Sequence, residues 1–290
     1  MQENKEIQAL LKLIDDPDMD VYESVSQKII SFGKDIIPNL EHFWETSVNP
    51  ELQEKIEMLI HRLHFTDLEN EFTKWSASGA DILSGAMLVS KYAYPEMDPS
   101  VIFKEIEKLR RNIWLEMNSY LTPIEQINVI NSIVYNYYRQ RGTEISYENA
   151  DGFLLNKTLE SHKGNAYGNG TLLLILCSLL DVPVYAISIP KQFILGYFDR
   201  HFDMLNPATS HASEKIKFYI DPVNGQMYSH KDVENYFKKI AVPPVSSYFR
   251  PLTNKAALRN VLEEISKCYD NDAQQYKMDE IARLIGFTEE

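Results

Sequence analysis

The nine residues from Leu172 to Leu180 read Leu-Leu-Leu-Ile-Leu-Cys-Ser-Leu-Leu and leave almost no polar face at helical spacing. A helix that is apolar all round has to be buried, in a protein core or in a membrane. The run falls far short of the ~20 residues that a membrane-spanning helix needs, so it belongs inside a folded domain. Three glycines, Gly164, Gly168 and Gly170, lead into it, and Pro183 breaks the chain after it. Glycines running into a helix are also where phosphate loops and activated nucleophiles are found. The stretch 164–184 therefore poses the functional question as well as the structural one.

A phosphate loop needs Gly, four residues, then Gly-Lys-Ser/Thr, because the lysine reaches the β- and γ-phosphates. Counted from Gly164, the lysine place holds Gly170 and only Thr171 fits. This argues against nucleotide binding, and no cofactor is expected. The other chemistry is a thiol activated by a helix N-terminus and a nearby histidine. The one local thiol, Cys177, lies deep in the apolar run and is expected to be a small buried hydrophobe.

The flanking sequence sets the architecture. Residues 1–75 read as helices: Val21, Val25, Ile29 and Ile30, then Ile36, Ile37, Leu40 and Phe43, then Leu52, Ile56, Leu59 and Leu63, recur at three- to four-residue spacing. The segment from Asp15 to Glu45 resembles a HEAT-type helix pair, with an acidic turn, an amphipathic helix, Gly33, and Ile-Pro-x-Leu. Helices are expected to continue to about residue 145, with Thr122-Pro123-Ile124-Glu125 as a capped start. After Pro183 the period changes to that of strands: Val184–Ile189, Phe193–Phe198 and Lys217–Ile220. Arg200–Lys215 reads as a long irregular loop. Asn224-Gly225 is a turn signal, and Ser229–Asp232 a capping box opening a helix. A final helix pair, resembling one TPR-type unit, fills 251–290.

Together these blocks carry a resemblance. The order Gly-x-Cys, helix, Gly-x-Pro, strand, His, strand, Asp-Pro is that of the transglutaminase-like core superfamily. Four blocks, DILSGAMLVSKYAYPEMD, GFLLNKTLESHKGNAYGN, DVPVYAISIPKQFILGYF and YIDPVNGQMYS, resemble its bacterial SirB-type branch. The resemblance implies an α+β fold, with a HEAT-like segment at 1–75, a transglutaminase-like, papain-like core with a small antiparallel sheet at 76–250, and the helix pair at 251–290. It also implies a Cys-His-Asp site, and the residue types then depart from that chemistry. Counting back from Asp181-Val-Pro-Val, the cysteine place falls on Ala166. The histidine place falls on Gln192, and the third place on Asp221. Alanine cannot attack a carbonyl, and a carboxamide cannot serve as a general base near neutral pH. Asn165, Tyr167, Asn169, Lys191 and Asn224 are expected to line the remaining cleft.

Other groups enter as alternatives. His61 and His64, with Asp67, have helical spacing but read as surface or capping residues rather than a metal site. His201 and His211, with Asp199, Asp203 and Asp221, form a candidate replacement acid/base or metal cluster. The aromatic run Tyr135–Tyr138 reads mainly as packing, with Arg139 or Arg141 as anchors if it lines a groove. The formal net charge of −13, from 29 basic and 42 acidic residues, argues against a nucleic-acid or anionic-membrane surface. Two cysteines exclude a disulfide framework, and the opening MQENKEIQ shows no leader pattern, so a cytoplasmic setting is expected. The expected function is a non-catalytic binding or scaffolding module with a protein or peptide partner and no metal. The rival is a hydrolase or metal-dependent enzyme built on Asp221 and the loop histidines. The oligomeric state stays open.

Overall fold

The computed structural model describes residues 2–199, 202, 212–270 and 274–289. The chain divides into two compact units, Met1–Lys74 and Trp75–Glu290. Among the described residues no helix is long and apolar enough to cross a membrane.

The first unit is built from α1 (Gln2–Leu13), α2 (Met19–Ser31), α3 (Ile37–Thr46) and most of α4 (Pro50–Ala77). The carboxylate of Asp18 caps α2 by accepting from the Asp20 N–H. Gly33, with φ +70°, follows the helix where a left-handed backbone is required. The three- to four-residue apolar spacing turns one stripe of each helix inward. Ile14, Ile29, Leu40, Ile56 and Leu59 are each 0% exposed in a single apolar cluster.

The second unit opens with α5 (Ile82–Ala93), α6 (Pro99–Glu116) and α7 (Pro123–Asn131), which a π-helical turn, Ser132–Tyr137, prolongs. Asp81, Asp98 and Thr122 cap these three helices, and Thr122 forms the full capping box with Glu125. Two short parallel strands, β1 (Arg141–Gly142) and β2 (Lys163–Gly164), flank α8 (Leu155–Ser161). Then come α9 (Ala166–Leu179), β3 (Val184–Ile189), β4 (Gln192–Phe198), α10 (Ala212–Lys215), β5 (Ile216–Ile220), β6 (Met227–Tyr228) and α11 (His230–Ile240). β3-β4-β5-β6 form one antiparallel sheet in that order. α12 (Asn254–Ser266) and α13 (Gln275–Gly286) close the chain as the expected helix pair. They lie in the same compact unit, where Leu258 packs so closely on Gly85 that a Cβ there would overlap it.

The apolar run is the axis of this unit. Every residue of α9 from Gly168 to Cys177 is buried. α9 lies on one face of the sheet and α11 on the other. A Cβ on Gly170 would overlap the Phe193 ring. On the opposite face Ile187, Ile189, Ile194 and Tyr219 share a cluster with Val233 and Phe237 of α11. The mostly helical fold with a small antiparallel sheet is the architecture expected. Three details differ. β1, β2 and β6 are two-residue strands too short to leave a period-two pattern. The π-helical turn has no composition of its own. The segment 200–215, expected to be irregular throughout, ends in the helical turn Ala212–Lys215.

Candidate functional site

The start of α9 is closed by its own sequence. Asn165 is the N-cap: its Oδ1 accepts from the backbone N–H of Tyr167 at 2.9 Å and of Gly168 at 3.1 Å. These first-turn amides are the ones that a bound anion would otherwise use. Ala166 is the first helical residue and half-buried. Beside it the Tyr167 ring packs 4.6 Å from the Phe193 ring and 5.9 Å from Phe153, which stacks on Tyr147 at 6.2 Å. Tyr147 Oη donates to Glu264 Oε2 of α12 at 2.6 Å, and Lys267 Nζ pairs with the other oxygen at 2.6 Å. The bond to Glu264, and then burial, raises the pKa of Tyr147 above the usual phenol value. Tyr167 is raised more, first by burial and then by the Glu264 charge. Both phenols therefore stay neutral at ordinary pH.

Beneath this aromatic layer lies a buried amide network. Gln140 Nε2 donates to Asn169 Oδ1 at 2.8 Å, and Asn169 Nδ2 donates to the Arg141 carbonyl at 3.3 Å. Asn165 and Asn169, expected on an open cleft, are each 1% exposed. One caps the helix and the other ties β1 to α9, because buried amides need internal partners.

Of the places carried over by resemblance, Gln192 and Asp221 share a cavity, and Ala166 stands at the start of α9. Along β4 side chains alternate. Phe193 turns toward α9, so its neighbours Gln192 and Ile194 turn to the face that α11 covers. Asp221 follows β5 opposite Ile194, in line with the pairing of Leu195 and Ile220. Gln192 and Asp221 line one cavity of about 370 Å³ together with Phe193, floored by Ile189, Ile194 and Val233 and walled by Tyr228, Asp232 and Tyr236. Ala166 is not among the residues lining it.

Asp221 also builds the turn that follows. Its Oδ1 accepts from the Val223 N–H at 2.8 Å, and its backbone closes on Gly225 and Gln226, each at 2.8 Å. Gly225 has φ +75°, and a Cβ there would meet Asn131 and Tyr135. Asn131 Nδ2 and Tyr135 Oη reach across to the Gly225 and Pro222 carbonyls, both at 2.7 Å. Tyr135 thus serves packing, whereas Tyr137 is exposed. Ser229 caps α11 and Asp232 completes the capping box, and bonds from the Ser229 hydroxyl and N–H hold Asp232 below the usual carboxylate range. Burial, then the charges of Asp221 and Asp232, raises the Tyr228 phenol. The cavity therefore has a negative rim, two phenols and a carboxamide over an apolar floor. It is suited to hydrogen-bonded or cationic groups, and its lining carries no thiol and no imidazole.

The remaining candidates sit apart. Lys191, with φ +62°, occupies the β3–β4 turn, and Asn224 holds the following turn through the Gln226 N–H; both are exposed. Asp199 pairs with Lys217 at 3.3 Å. His201, Asp203 and His211 lie outside the described residues. His61 and His64 lie in α4, in the first unit. Among the described residues no group of three or more His, Cys, Asp or Glu side chains is arranged to hold a metal ion. Sequence reasoning passed over Phe193, Glu264, Tyr228 and Asp232. Phe193 was open to strand alternation, but nothing local pairs Glu264 with Tyr147, 117 positions away.

Residues 101–263, more than half of the chain, match the family model described as the transglutaminase-like superfamily. The chain belongs to the transglutaminase-like superfamily. No curated protein and no solved structure matches it. The matched region runs from α6 into α12 and so contains α9, the whole sheet and the Gln192–Asp221 cavity. The superfamily match stops one residue before Glu264, which closes over the start of α9.

Proposed function

We propose that this chain is a non-catalytic member of the superfamily, of the SirB-type branch, acting as a cytoplasmic binding or scaffolding module. In this reading Ala166, Gln192 and Asp221 are the places of a lost Cys-His-Asp site. The HEAT-like helices of 1–74 and the TPR-like pair add surface for a protein or peptide partner, and the Gln192–Asp221 cavity is the contact point on the core. One observation carries the proposal. The first turn of α9 offers a methyl group at Ala166, and its amides are taken by Asn165. The space beside it is filled by packed Tyr167 and Phe193 rings rather than by a titratable base. Acyl transfer needs a nucleophile within hydrogen-bond reach of a base, and neither group stands there.

The test is turnover of glutamine-containing peptides, and of simple amide and ester substrates, by the purified full chain and by Asp221→Ala. No turnover above the uncatalysed rate is expected from either protein. Turnover by the native chain that disappears in Asp221→Ala would sink the proposal and favour the acid/base alternative.

A further inference from the structure

A second cavity of this unit lies at the other end of α9. It is a groove of about 1000 Å³ between the last turn of α9, the start of β3 and the start of α12. Its floor is a sheet edge. β3 is the terminal strand of the sheet, paired only with β4 within it. The chain covers part of the open side itself: Pro251 bridges Ile187, and the Leu252 N–H donates to the Ala186 carbonyl at 2.8 Å. Thr253 then caps α12 and the chain turns away.

That bond fixes the direction of the edge. In an antiparallel strand a residue's N–H and C=O point to the same side, and the side repeats every second residue. The Ala186 carbonyl faces outward, so the Ala186 N–H and the Val184 carbonyl face outward too, into the groove. Among the described residues neither has a hydrogen-bond partner. Both residues are nonetheless buried, Ala186 at 1% and Val184 at 4% exposure. Buried backbone groups without partners are rare in folded proteins. The spacing of this donor and acceptor suits one residue of an added strand placed opposite Tyr185.

Charge adds a second, independent indication. The carbonyl end of a helix carries a partial negative charge. α9 has no basic residue in its last turn, and Asp181, exposed just beyond it, lines the same groove. From these observations we infer that the groove binds an extended peptide segment of a partner protein. The segment adds to the open end of β3 through the Val184 carbonyl and the Ala186 N–H, and it sets a basic side chain against Asp181. Such strand addition takes its affinity from main-chain bonds and its selectivity from flanking side chains.

The experiment uses the full chain, uniformly ¹⁵N-labelled, and three capped probes. These are acetyl-Lys-Val-Thr-Val-Thr-amide, the same peptide with Glu for Lys, and the Lys peptide N-methylated at both valines. The Lys peptide is expected to shift the Ala186 amide resonance saturably and to slow its hydrogen exchange. Asp181→Asn, which keeps a residue tolerant of the left-handed backbone, should weaken the Lys peptide about two- to fivefold, as for an exposed ion pair. It should leave the weaker Glu peptide unweakened. No change at Ala186 at about 5 mM peptide, above a millimolar dissociation constant, overturns the inference. So does equal binding by the N-methylated probe, or equal affinity for the Lys and Glu peptides. None of these results bears on turnover, so the inference stands or falls separately from the non-catalytic reading.

Discussion

The two ends of α9 share one helix, one core and one face of one sheet, yet they are built in opposite ways. At the start Asn165 takes the free amides, and Gly168 and Gly170 let Gly152 and Phe193 close in. At the end Asp181 holds a left-handed backbone with φ +54°, and the chain leaves two buried backbone groups of β3 without partners among the described residues. The start holds packed rings beside Ala166, the position to which the resemblance assigns the thiol. The end has room and unpaired polarity but no catalytic pattern. Tyr167 packs its ring on Phe153 and Phe193 beside Ala166, so under the non-catalytic proposal a thiol placed at Ala166 alone would not make a site.

Cys177 tests the depth of the helix most strongly. Burial pushes its thiol up to about 12, against ~8.5 for a free cysteine. Alkylation in a Cys268→Ser background at pH 8 is expected to be about a thousandfold slower in the native chain than in the denatured one, since only the thiolate reacts. The folded pKa lies above the unfolded one, so this contribution to stability is complete below ~8.5 and is lost as pH rises through the folded value. Equal labelling rates would mean that the groove reaches the thiol and that the far end of α9 is not part of the core.

Gly168→Ala tests the closed start. A Cβ there would overlap the backbone oxygen of Gly152 and crowd Thr158, and backbone cannot give way as a flexible side chain can. A loss of about 3 kcal/mol or more in urea unfolding is expected. The matching change at the far end, Ser178→Ala on an exposed position, should stay within ~0.5 kcal/mol. Similar losses at both positions would erase the contrast.

Asn165→Ala removes the cap of Tyr167 and Gly168 and should cost about 1 kcal/mol by the same measurement. A neutral result would show that the first-turn amides are satisfied in another way and remain open to a ligand. The smallest effect has the opposite sign. Asp181→Gly relieves a side chain from left-handed backbone and should raise stability by about 0.5–1 kcal/mol at most. A loss instead would mean that the Asp181 carboxylate is bonded in the free protein and not waiting for a cation.

How much of this was legible beforehand follows the range of each interaction. The burial of α9, the breaks around it, the capping box at Thr122 and Glu125, and that at Ser229 and Asp232 were all readable. Each is settled within one helical turn or one apolar period, by backbone hydrogen bonds and side-chain spacing. The family order was readable for the same reason, since it is a succession of such local elements. The partition of the site was not. That Gln192 and Asp221 share a cavity depends on the pairing of β4 with β5 and on which sheet face each helix covers. The closure of Tyr147 by Glu264, and the unpaired β3 edge where Thr253 turns into α12, join segments far apart in the chain. The sequence by itself determined which segments are helix, strand and core, because those choices are set by neighbours along the backbone. Only the tertiary structure decided which side chains share a site, because a strand presents opposite faces at every step and packing alone selects the one that is used.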